Sequence, residues 1–158
     1  MASNHSPILY LIGSLRNPEI PAIGMTLRAI GYEVFDDWFA AGKIADDSWR
    51  DYEMARGHSY SQALTGWAAR HVFEFDFFHL NRADLGVLVL PAGKSCHLEL
   101  GYLMGRGKPG YILLDGEWHK TKPRWDVMYL FARGGVYETL DALSEALKLT
   151  KGPLYHIV

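Results

Sequence analysis

Two carboxylates stand out for what they can do together. Glu99 lies in the run His97, Leu98, Glu99, Leu100, Gly101, just after the apolar stretch from Leu85 to Leu90. That stretch is short and rich in β-branched residues, and reads as a strand buried on both faces. Pro91, Ala92 and Gly93 stop it, and Ser95 is placed to cap a helix reaching Gly105 or Gly107. Glu99 then falls near the first helical turn, at the carboxyl edge of a strand, where open α/β sheets bind ligands. The helix dipole there favours its ionised form. An ionised, partly shielded carboxylate at that place can act as a nucleophile or a base. The plainer alternative is a surface glutamate complementing the dipole, whose removal would cost little stability.

Asp76 is the second carboxylate, set among Phe73, Phe75, Phe77 and Phe78. Burying an unpaired charge is costly, so this aspartate is partnered, functional, or turned to water at a helix end. Apolar neighbours raise its expected pKa. A protonated carboxyl beside an ionised one is the pairing that general acid and nucleophile require.

Two loops complete the candidate site. Gly13, Ser14, Leu15 and Arg16 follow the apolar strand Ile8, Leu9, Tyr10, Leu11, Ile12. Backbone N–H groups, a helix N-terminus and a guanidinium suit an anion there. Gly93, Lys94 and Ser95 offer similar donors at the neighbouring edge. Each loop alone is equally a plain strand-to-helix turn. Both facing one cleft would make a phosphate or ribose site. Trp38 and Tyr10 can stack on a ring or simply fill core. Cys96 and His97 have no second cysteine or spaced histidine pair to complete a zinc site. The reading calls for no metal and no cofactor.

The elements that must position these residues follow from pattern. Strand 8–12 leads into a helix with Asn17 as N-cap and Pro18 at its first position, ended by Gly31. A short strand covers 33–36, and a polar helix covers 46–56. One long helix is expected over 61–80. It is apolar nearly all round, which implies burial on several sides and suggests a subunit interface. After the central unit come a strand at 110–114, a loop over 115–122 with Trp118 and His119, and a short helix over 123–132. A strand at 135–137, an amphipathic helix over 139–149 and the tail 154–158 finish the chain. Strands alternating with helices give one α/β domain over 1–158, a doubly wound five-stranded parallel sheet of flavodoxin or Rossmann-like type.

Composition narrows the partners. The chain has 158 residues, 49% of them hydrophobic, and a net charge of -2. That length supports a full core. The charge gives no electrostatic argument for nucleic acid or an anionic membrane. The lone Cys96, the lack of a spanning apolar run and the polar first residues suggest a cytoplasmic protein.

With these residues in view, the chain from Ile8 to about Ala132 resembles the nucleoside 2-deoxyribosyltransferase family and its 2-deoxynucleoside 5′-monophosphate N-hydrolase relatives. The likeness rests on the loop from Tyr10 to Arg16 and on Asp76 leading through Ala83 and Asp84 into the central strand. It also rests on the run from His97 to Gly101, and on Gly107, Lys108, Pro109 before the next strand. It implies a homodimer or larger assembly of parallel α/β domains acting on a small nucleoside or nucleotide. Glu99 would be the nucleophile at the anomeric carbon, Asp76 would handle the base's proton, and Tyr10 would position Glu99. The loop from Gly13 to Arg16, with Ser95, would hold a 5′-phosphate, and the tail 155–158 would reach a neighbouring subunit. Two positions depart from the pattern. Transferases carry an aspartate where this chain has Gly93, and the hydrolases' serine belongs two residues before Ser95.

Three readings follow. The first is an enzyme that cleaves an N-glycosidic bond, with the glycosyl group passed either to another base or to water. The second is a nucleotide-binding module of the same fold, which would keep the two loops but not need Glu99. The third, a flavin-binding protein, would want a phosphate loop richer in hydroxyls than residues 13–16.

Overall fold

The computed structural model describes residues 5–114, 116–121 and 125–150. The strands are β1 (Ile8–Ile12), β2 (Glu33–Phe35), β3 (Leu85–Val89), β4 (Gly110–Leu113) and β5 (Gly135–Tyr137). They form one sheet in the order β2-β1-β3-β4-β5. Every pairing is parallel. The doubly wound, flavodoxin-like sheet expected from the sequence is the one found.

The helices are α1 (Ile20–Ala29), α2 (Ala45–Ala55), α3 (Tyr60–Leu64), α4 (Trp67–Arg82), α5 (Lys94–Gly105), α6 (Trp118–Thr121) and α7 (Leu140–Leu149), with 3-10 turns at Asp37–Ala41 and Val127–Phe131. Alternate strand residues point to opposite faces, so the sheet makes two cores. Leu9, Leu11, Val87 and Val89 meet α1 and α7 through Ile20, Ile23, Leu27, Leu143 and Leu147. Tyr10, Ile12, Phe35 and Leu88 meet α4 and α5 through Leu80, Cys96, Leu100 and Leu103. Gly86 lets α5 lie close on β3, because a Cβ there would stand 2.5 Å from Leu103 Cδ1.

Several local expectations need correction. The helix expected over 61–80 is two helices. Ser59 and Gln62 form a capping box that starts α3. Thr65 and the extended Gly66 then break the chain before α4. Nor is α4 buried on several sides within one copy: Leu80 is its buried residue, while Trp67 is 80% and Phe73 64% exposed. Helix α1 starts at Ile20 rather than at Pro18, because the Asn17 side chain accepts from the Glu19 N–H at 3.0 Å and holds a turn ahead of it. Gly93, not Ser95, is the N-cap of α5, and no side chain caps that end. Residues 118–121 are a helical turn where a loop was expected. The helix expected over 123–132 is the 3-10 turn Val127–Phe131, with 122–124 outside the described residues. The tail 151–158 also lies outside them.

Candidate active site

The site is built on β1 and β3, where the strand order reverses and both strands end toward one crevice. Tyr10, in β1, points into the α4–α5 layer and is wholly buried. Its ring sits 4.9 Å from that of Phe35 on β2. Phe35 stacks on His79 at 3.8 Å and meets Phe75 at 5.7 Å. This aromatic cluster seats α4 on the sheet and so fixes Asp76, which lies between Phe75 and His79 in sequence. Asp76 is half-buried, and burial pushes its carboxyl up to about 6.

Glu99 comes from α5, whose first residue is Lys94, so it lies in the second turn rather than the first. The dipole has faded there. Part of the side chain remains open to solvent. Protein nevertheless crowds it, and burial pushes its carboxyl up to about 7. The Tyr10 hydroxyl pulls the other way, and the Asp76 charge raises Glu99 further. The ionised Glu99 expected from the dipole is therefore corrected: desolvation outweighs the helix end. Tyr10 itself is raised well beyond its ordinary range by burial and by the charges of Glu99 and Asp76. It stays a neutral phenol with an O–H to donate. That hydroxyl makes no hydrogen bond of good geometry among the described residues, although it lies near enough to Glu99 to stabilise the carboxylate. Tyr10, Asp76 and Glu99 are thus brought together, each within electrostatic reach of another.

The loops are held by specific bonds. The Cys96 thiol donates to the Gly13 carbonyl at 3.2 Å, joining the end of β1 to the first turn of α5. Trp38 donates its indole N–H to the Leu11 carbonyl at 2.8 Å. A Cβ on Gly13 would stand 3.6 Å from that indole. Trp38 is therefore a brace under the first loop, with its polar atom already used. The Ser14 hydroxyl accepts from the Arg16 backbone N–H at 3.1 Å. The Arg16 guanidinium is paired with Asp47 of α2 at 3.0 Å. At the second loop Gly93, Lys94 and Ser95 are exposed. Nothing stands within 4 Å of where a Gly93 Cβ would be, so the space in front of the uncapped α5 N-terminus is open.

Two contributors were missed from sequence, and a third, His97, was weighed there only as a metal ligand and as part of the run to Gly101. Asp47 sits 31 residues from Arg16, and no local pattern links them. His79 follows Asp76 at helical spacing, a signal that was available. His97 donates from Nδ1 to the Gly93 carbonyl at 2.7 Å, which leaves Nε2 to accept from the Tyr129 hydroxyl at 2.9 Å. Among the described residues no three His, Cys, Asp or Glu side chains are placed to hold a metal ion. No described helix is long and apolar enough to cross a membrane. A cavity of about 310 Å³ lies beside Arg28 and Asp36, and one of about 210 Å³ lies between α5 and the Val127–Phe131 turn. Neither is lined by Tyr10, Asp76 or Glu99.

No model of a known protein family matches the chain, and no curated protein sequence matches it.

Proposed function

We propose that this chain cleaves the N-glycosidic bond of a nucleoside or nucleoside 5′-monophosphate through a glycosyl ester on Glu99, in the manner of the nucleoside 2-deoxyribosyltransferase family it resembles. The observation that carries this reading is the meeting of Tyr10, Asp76 and Glu99 beside the sheet's switch point. The carboxyls there are raised to about 6 for Asp76 and about 7 for Glu99. A binding module has no use for a pair of desolvated carboxyls at its ligand crevice, since their burial only costs stability.

With apparent pKa values of about 6 and 7, the pair holds close to one proton in that pH range. The reaction uses that proton. Glu99 has the higher value and holds the proton more often; the reactive form is the minor tautomer, in which Glu99 is the carboxylate, stabilised by the Tyr10 O–H, and Asp76 is the acid. The Glu99 oxygen bonds to the anomeric carbon as the glycosidic C–N bond breaks, and the departing base takes the electron pair and the Asp76 proton. Water, or the nitrogen of a second base, then attacks the anomeric carbon, and the bond from that carbon to the Glu99 oxygen breaks. Asp76 takes the proton released, and the Glu99 carboxylate is restored. Transfer and hydrolysis share every step except the identity of that acceptor. No cofactor or metal enters the scheme.

The exposed aromatic face of α4 supports a homodimer or larger assembly. So does the openness of the crevice in one copy, which leaves a wall for a neighbour to supply. A cytoplasmic location suits the single buried thiol. The test is incubation with a panel of nucleosides and 5′-monophosphates, with and without an acceptor base, resolved by chromatography. Free base is expected from hydrolysis and a new nucleoside from transfer. Binding with no base released would overturn the reading in favour of a nucleotide-binding module.

A further inference from the structure

We infer that His79 and Arg82 are the positioning pair for Asp76: Arg82 holds the His79 ring as an uncharged plate on Phe35, and that plate seats the helical turn carrying the aspartate. The inference rests on the proposed role of Asp76 as the acid and adds the residues that keep it in place and protonated. Phe35 is the ring that both halves of the site share. It is 2% exposed, and Tyr10 rests against it at 4.9 Å. Helix α4 grips the same ring twice. His79 stacks on it at 3.8 Å with the planes 8° apart, and Phe75 meets it edge-on at 5.7 Å. Phe75 and His79 also meet each other at 4.9 Å. One anchor immediately precedes Asp76 and the other follows it within a turn, so that turn is pinned to the sheet at both ends. Asp76 in turn acts by charge on Tyr10 and Glu99.

The charge state of the plate follows from its partner. A guanidinium only donates, so Arg82 Nε, 3.0 Å from His79 Nδ1, requires a lone pair on that nitrogen. The ring is then neutral, with its proton on Nε2. Arg82 is itself held from β2, where Glu33 pairs with it at 2.7 Å. A proton on Nδ1 would break the Arg82 bond and set two cations together. Burial and the Arg82 charge lower the His79 pKa, against the pull of Asp37 and Glu33. Among the described residues these are the charges that reach the ring, with Asp76 one turn earlier on α4. Neutrality matters to Asp76, whose pKa is raised by burial. An imidazolium at this helical spacing would favour the ionised carboxylate. Asp76 would then lose its proton to solvent before a substrate arrived.

The experiment reads the substrate-free protein by NMR, and base release alongside, for the full chain as wild type, His79→Phe, His79→Ala and Arg82→Met. Nitrogen-15 spectra of the wild-type imidazole at neutral pH are expected to show Nδ1 bare and Nε2 protonated. The ring should titrate below its ordinary 6.5, and higher in Arg82→Met than in wild type. Asp76, read through its side-chain carbon, should titrate near 6 in the wild type. His79→Phe keeps a flat, uncharged ring and should leave that value in place. In His79→Ala water reaches the turn, and the value should fall toward the ordinary 3.8. Turnover should drop about tenfold or more in His79→Ala with KM moved less than about twofold, and stay within about threefold of wild type in His79→Phe. If His79→Ala does not fold, His79→Leu, which fills the volume without a plate, takes its place. A protonated Nδ1 in the wild type would overturn the inference. So would a His79→Phe that loses as much as His79→Ala, or an Asp76 titration that no variant moves. The expected titrations without any base release would sink the glycosidase reading and leave the positioning pair standing.

Discussion

The Cys96 thiol donates to the carbonyl of Gly13, and this one bond spans the switch point of the sheet, 3.2 Å from α5 to the end of β1. It joins the loop that carries Arg16 to the helix that carries Glu99. Burial and the nearby Glu99 raise the thiol's pKa, so the sulfur is a weak nucleophile here. Native protein is expected to react with iodoacetamide far more slowly than unfolded protein, as mass spectrometry would show. Cys96→Ala should lower stability by about 1–2 kcal/mol, from a lost hydrogen bond and a small void. Rapid labelling of the folded chain would contradict this arrangement.

The Glu99 carboxyl makes stability depend on pH. Its folded pKa is about 7 against an ordinary 4.5, so between those values the folded chain binds more protons than the unfolded one. Stability therefore falls as pH rises through that window, and the penalty is complete above it. The shift corresponds to at most about 3 kcal/mol. Asp76 acts in the same direction, with burial as its cause. Glu99→Gln keeps the shape and removes the charge. Urea denaturation should find it near wild type at pH 4 and about 2–3 kcal/mol more stable at pH 8. Equal stability at both pH values would mean Glu99 is well solvated.

Most of the fold was legible in the sequence, and the reason is local. Each buried strand is an apolar run closed by glycine, proline or a cap, so strand positions and the parallel architecture follow from pattern. The carboxyl-edge location of Glu99 follows from the unit containing β3 and α5. Its protonation did not follow, because desolvation by β1 and α4 is a tertiary effect invisible along α5. The break at Gly66 was missed because the aromatic content of 61–80 outweighed the stop that Thr65 and Gly66 supply. The partner of Arg16 was not readable at all, since α2 reaches it only in three dimensions.

The outer face of α4 predicts assembly. Trp67 is 80%, Phe73 64% and Phe78 63% exposed in one copy. Large exposed aromatics are what interfaces bury. Light scattering at micromolar concentration is expected to give a dimer or larger. Phe73→Glu should weaken that assembly by about 2 kcal/mol or more, with the far-ultraviolet spectrum unchanged, because Phe73 lies outside both cores and stacks only on its neighbour Phe77 among the described rings. A monomeric wild type would remove this surface from the argument.

The decisive prediction concerns the division of labour between Glu99 and Asp76. If Glu99 captures the sugar, Glu99→Ala and Glu99→Gln should both lose nearly all turnover, on the order of a thousandfold or more, since neither can form the ester. A 2-fluoro-2-deoxy sugar analogue slows both formation and breakdown of the intermediate. It should trap an adduct on the wild type, and peptide mapping should place that adduct on Glu99. Asp76→Asn removes the proton but leaves the nucleophile. Its loss should be large for ordinary bases, about a hundredfold, and should shrink for bases that leave easily without protonation. The same variant should lose the alkaline limb of the rate profile, because that limb reports loss of the shared proton. Tyr10→Phe should raise the Glu99 pKa further, since the hydroxyl's pull is removed, and lower the rate by leaving less of the form with Glu99 ionised. An adduct on another residue, or Glu99→Ala with most of its activity, would overturn the glycosyl-ester mechanism, whatever the fate of the assembly and positioning predictions.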